Sequence, residues 1–115
     1  MNKIKLVINN EAKKNEREKF FIKQELQSIL NLYAKMVSNG SWKDYSFTSG
    51  TKEVSFDVYQ RASEKPVLRI LKNLKPKYFN EKYLIKDKNG AILKKSENLN
   101  QLIGKISWNK LKLVK

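Results

Sequence analysis

The hydrophobic period changes between Val37 and Trp42, and that change constrains the fold more than any other feature. From Ile22 to Val37 apolar residues recur every three to four positions; in the segments between Trp42 and Lys95 they recur every two. Ile22, Leu26, Ile29, Leu30, Tyr33, Met36 and Val37 lie on one stripe of a 3.6-residue repeat, which predicts an amphipathic helix over 23–38. Gly40, behind Ser38 and Asn39, is placed to take the left-handed conformation that ends it. Beyond it Tyr45 and Phe47, then Val54, Phe56 and Val58, alternate with polar residues, and Ser49-Gly50 between them reads as a hairpin turn.

A third alternating run, 67–72, follows the loop 61–66. Pairing Phe56 with Ile70 and Val58 with Leu68 sets apolar against apolar on one face. The same register sets Asp57 opposite Arg69 on the other, and a shift by one residue loses both agreements. Residues 73–80 form a loop around Pro76. Segments 83–87 and 91–95 then flank Lys88-Asn89-Gly90. A three-residue loop with Gly90 as a bulge aligns Ile85 with Leu93, and this register is preferred. A two-residue Asn-Gly turn would instead set Leu84 against Lys95. In the preferred register Leu84, Ile92, Tyr59, Val67 and Leu71 point away from the core. Leu99, Leu102, Ile103 and Ile106 mark a short helix capped by Ser96 or Asn98 and weakened by Gly104, with Trp108 packing back on the body.

A chain of 115 residues supports one hydrophobic core. The expected fold is α+β in a single domain: an N-terminal amphipathic helix, an antiparallel meander sheet of about five strands and a short C-terminal helix. The domain spans 21–108, with a basic N-terminal arm and linker over 1–20 and a basic C-terminal tail over 109–115.

Two motifs carry a likeness. Phe21 to Tyr45 reads F-x-x-x-E-L-x-x-I-L-x-L-Y-x-x-M-V-x-x-G-x-W-K-D-Y, and 54–72 reads V-S-F-D-V-Y-Q-R-A-S-E-K-P-V-L-R-I-L-K. Over about residues 21–106 the chain resembles a family of short alphaproteobacterial proteins known as a domain of unknown function (family 2794). It departs at the helix start, where a capping Asp or Asn is expected and Ile22 stands. The resemblance implies a fold unit and lends no catalytic residue, cofactor or partner.

The formal charge is +14, from 25 basic and 11 acidic residues, and half of it lies within 66–95. Tyr78, Phe79 and Tyr83 interleave with the lysines there. Such a segment suits phosphates and stacked bases, so nucleic acid, RNA or DNA, or another polyanion is the expected partner class, bound without sequence specificity. The candidate contacts are Arg61, Lys72, Lys75, Lys77, Tyr78, Lys86, Lys88 and Lys94. Against this, 22 of the 25 basic residues are Lys and 12 residues are Asn. An AT-rich genome writes such residues wherever a solvated side chain serves, and edge lysines also block sheet aggregation. The alternative is therefore a protein-interaction or homo-oligomerisation module using an outer sheet face, its charge serving solubility. Arg61 and Arg69, two of only three arginines, invite fork-like contacts. Arg69 is expected to pair with Asp57, and Arg61 with Glu64 or with a partner's phosphate or carboxylate.

Other classes fall away. With no Cys and no His the chain lacks the commonest nucleophile, general base and metal ligand. Its carboxylates are scattered and its four glycines stand alone, so no catalytic residue, cofactor or metal site is expected. Asp44 is expected to cap a turn, and Trp42 to pack. No apolar run is long enough to span a bilayer or to serve as a signal sequence, which points to a cytoplasmic protein without integral membrane association.

Overall fold

The computed structural model describes residues 19–61 and 65–106. Among the described residues a helix, α1 (Lys23–Ser38), precedes a sheet of β1 (Asp44–Ser49), β2 (Glu53–Tyr59), β3 (Leu68–Asn73), β4 (Tyr83–Asp87) and β5 (Ile92–Ser96), and a short helix, α2 (Leu99–Gly104), follows it. The strands lie in sequence order, β1-β2-β3-β4-β5, each antiparallel to the next. This is the expected α+β meander.

The β2–β3 register is the one that the apolar pattern and the charge pair predict: Phe56 faces Ile70, Val58 faces Leu68 and Asp57 faces Arg69. Arg69 Nε donates to Asp57 Oδ1 at 2.9 Å, while Thr48 and Ser55 hydroxyls donate to the same carboxylate at 2.7 and 2.8 Å. Asp57 is thus fully engaged and buried. Its predicted pairing with Arg69 holds. The companion expectation for Arg61 and Glu64 involves a residue outside those described, as does Trp108.

Both helices cover one face of the sheet. Ile29, Leu32 and Met36 of α1 and Leu99 and Leu102 of α2 join Val54, Phe56, Val58, Leu68, Ile70, Tyr83 and Ile85 in one core, with Phe21 and Trp42 at its ends. The buried stripe of α1 runs through Glu25, Ile29, Leu32 and Met36. That is rotated from the stripe read in the sequence, because Leu30 and Val37 lie on its flank and stay 40% exposed. The helix ends as Gly40 predicts. Gly40 sits at φ +83° and donates to Val37 O, and Ser41 donates to Met36 O. This double return bond satisfies carbonyls that would otherwise be orphaned.

The β4–β5 hairpin differs from expectation. Lys86 pairs with Ile92, which continues the preferred register, but Ile85 pairs with Lys94 and Leu84 with Lys95. Leu93 is an extra residue between them. The two registers weighed from sequence therefore both occur, one on each side of a bulge. The turn itself is closed by Asp87, whose Oδ1 accepts from the amides of Asn89 and Ala91, and by Gly90 at φ +86°. Asn98 caps α2 by accepting from Gln101 N at 3.0 Å, and Ser96 accepts from Asn98 N. On the outward face Leu71 is buried and Val67 packs against the core, so of the five outward apolar residues expected there only Ile92 is well exposed. No described helix is long and apolar enough to cross a membrane.

Candidate functional site

The β3–β4 connection is where the candidates gather. Its two ends are clamped: Asn73 N donates to Lys82 O at 2.7 Å, and Leu74 N to Lys52 O at 2.8 Å. A single 3₁₀ turn, Phe79–Glu81, closes the far side, and Glu81 reaches Lys95 on β5 at 3.7 Å. Between these clamps 75–80 project from the sheet. Lys75 and Lys77 are exposed, Tyr78 is 58% exposed and Phe79 82%. Lys77 Nζ lies 5.8 Å from the Tyr78 ring centroid, within reach of a cation–π contact. Two adjacent rings held in water beside ammonium groups form a compact basic-aromatic projection. Phe79, the most exposed of them, stands outside the predicted set, although its place among the lysines was visible in the sequence.

The other candidates lie elsewhere. Lys88 is exposed in the β4–β5 turn and Arg61 is exposed just beyond β2. Both belong to the opposite end of the sheet, separated from the projection by the length of β4, about 13 Å at ordinary strand rise. Lys86 is half-buried on the outward face opposite Arg69, and Lys94 is exposed on the edge strand opposite Ile85. The eight candidates do not form one patch; Lys75, Lys77 and Tyr78 do.

Lys72 is withdrawn from the surface altogether. It lies on the core face of β3, 1% exposed, where its Nζ donates to Glu25 Oε1 at 2.8 Å and to Phe20 O at 2.9 Å. The Tyr83 hydroxyl donates to Glu25 Oε2, and Ile22 N donates to Oε1 at 2.8 Å. This explains the missing cap at Ile22: the side chain three residues on supplies half of a capping box. Glu25 is therefore helix cap, ion-pair partner and phenol acceptor at once. A shallow cleft of about 200 Å³ opens beside it, between the starts of α1 and α2, lined by Gln24, Ser28, Glu97 and Asn100 among others.

Asp44 opens β1 and accepts from Tyr45 N at 2.8 Å, a local backbone cap as expected. Along β1 the rings form a continuous row: Phe20 touches Phe47, Phe47 touches Tyr45, and Tyr45 meets Tyr33 edge-on at 4.9 Å. Burial in this row, with the nearby Asp44 charge, holds the Tyr33 hydroxyl above the ordinary phenol pKa of 10.0.

A family model described as Protein of unknown function (DUF2794) matches residues 19–103. The chain belongs to that family. The DUF2794 match takes in the aromatic entry to α1, the whole sheet and nearly all of α2, so the projection, the buried Glu25–Lys72 pair and the β1 row all lie inside it. Comparison with curated proteins and with solved structures gives no match.

Proposed function

We propose that the chain is a small binding module for single-stranded nucleic acid, gripped without sequence specificity by the β3–β4 projection. One observation carries this reading: Phe79 and Tyr78 stand 82% and 58% exposed beside Lys75 and Lys77. Leaving a phenyl ring in water forgoes roughly 1.5–3 kcal/mol of burial, so two adjacent exposed rings on a clamped loop call for a partner surface. Bases supply flat faces for the rings, and phosphates supply charge for the ammonium groups. Arg is scarce, and the contacts that read guanine in a duplex groove lean on Arg forks, which favours the backbone-and-stacking mode over base readout. The remaining excess charge adds long-range attraction.

The reading is tested by fluorescence anisotropy with labelled single-stranded RNA, single-stranded DNA and duplex over a salt series. Affinity should fall with salt at a log–log slope of about 0.7 per single-strand phosphate contact. Phe79→Ala should weaken binding by about 1–3 kcal/mol with the slope unchanged, as expected for lost stacking. Replacing Lys75 and Lys77 together by Gln should lower the slope. Absence of binding at low salt would remove nucleic acid. Binding only to anionic vesicles would assign the same projection to a membrane surface.

A further inference from the structure

The two edges of the sheet are built differently. On β5 the Leu93 bulge breaks the ladder, Lys94 and Lys95 stand on the strand, and Lys105 Nζ reaches the Lys95 carbonyl at 3.3 Å. Bulges and edge lysines are the usual devices that keep an edge from pairing with another chain. On β1 they are confined to its start, where the exposed Lys43 donates its amide to Tyr59 O, one residue out of step with the Asp44–Tyr59 pair. Asp44–Ser49 runs six residues in unbroken register with β2 and contains no Lys, Pro or Gly. Gly50 N donates to Glu53 O, which turns the even-numbered amides of this strand toward β2 and the odd-numbered ones outward. Of the outward set, Tyr45 N is met by Asp44; Phe47 and Ser49 present theirs at the free edge, and no described strand lies beyond it.

Apolar surface flanks this edge. Leu30, Val37, Tyr45 and Phe47 are each 37–40% exposed, half of the large exposed apolar side chains among the described residues. They are contiguous, because Tyr33 joins Leu30 and Val37 on one helical stripe and meets Tyr45 at 4.9 Å. Charge then selects the occupant. Residues 41–61 carry three basic and three acidic side chains, and with Asp57 spent on Arg69 they keep a net +1, whereas 66–95 keep +5 after Arg69 and Lys72 are paired off. Two copies of so basic a chain repel each other over most of their surfaces, and the β1 side is where that repulsion is weakest.

We infer that β1 is the pairing edge of a two-fold homodimer. Antiparallel β1 strands from two copies join their sheets into one of ten strands. The Leu30–Tyr33–Val37 flank of α1 and the Tyr45 and Phe47 rings of each copy then cover those of the other. The contact is self-complementary, as a two-fold interface must be. It leaves both β3–β4 projections outside the interface, so the dimer and the proposed nucleic-acid contact are separable.

Sedimentation velocity over a concentration series tests it on the full chain. The expected result is a species of twice 13.5 kDa that dissociates on dilution. Ser49→Pro removes an outward amide without touching the β1–β2 ladder, and Leu30→Glu places charge on the helix flank. Each should weaken the dimer by about tenfold or more while circular dichroism retains the fold. Should Ser49→Pro unfold the chain, Leu30→Glu alone decides. Leu93→Glu on the guarded edge should leave the dimer intact. A monomer at every concentration overturns the inference, as does a dimer that ignores Leu30→Glu or one that Leu93→Glu breaks.

Discussion

Lys72 sits where a count of charges would not place it. In L-R-I-L-K, Lys72 shares its parity with Leu68 and Ile70, so the alternation of β3 already put it on the core face. Composition treats every Lys as solvated, and that is why the residue entered the polyanion set. Its partner was less legible. Helical spacing sets Glu25 one turn before Ile29 on the buried stripe, but nothing local names its partner, since the pair closes across 47 positions of sequence. The energetics follow from removing one member at a time. Lys72→Met leaves a buried carboxylate whose Oε1 keeps only the Ile22 amide, and Glu25→Leu leaves a buried ammonium; each should cost about 3–5 kcal/mol. Removing both should cost much less than the sum, because an apolar pair in place of a buried ion pair is often neutral. Urea unfolding of the two single variants and the double variant would measure the coupling.

At the level of elements, legibility tracked burial. The β2–β3 register was readable because one face is sealed and the other carries Asp57 against Arg69, so a slip costs twice. The β4–β5 register was not, because Ile92, Leu93, Lys94 and Lys95 are all exposed and no sealed face penalises either alignment. Tertiary packing likewise set which arc of α1 is inside. The helix is apolar over a wider arc than the sheet covers, and Leu30 and Val37 are the surplus. Its C-terminal stop was explicit in the sequence. A Cβ on Gly40 would meet nothing within 4 Å, so the cost of substitution there is backbone alone. Gly40→Val should lower stability by about 1–2 kcal/mol, from left-handed strain, and Gly40→Asn by clearly less. Thermal melts of the pair would separate backbone strain from lost packing.

For the molecule as a whole, +14 on 115 residues is a standing internal repulsion. Raising ionic strength toward about 0.15 M shortens the screening length to about 8 Å, and the midpoint of thermal unfolding should rise with it. The buried Glu25–Lys72 contact should contribute little to that rise. A midpoint that falls with added sodium chloride would count against surface repulsion as the leading charge effect. The placement of excess charge in 66–95 was legible from sequence, and the alternation of β3 turned Lys72 inward, but the division of the rest between two ends of the sheet was not, because it depends on where each turn throws its residues. The threefold duty of Glu25 also bears on synthesis. Residues 22 and 25 leave the ribosome early, yet Lys72 and Tyr83 follow 47 and 58 positions later. A nascent chain that stops short of Tyr83 must keep this carboxylate hydrated, so the first turn of α1 cannot seat against the sheet. The helix that opens the described fold is thus completed only when the fourth strand has been made.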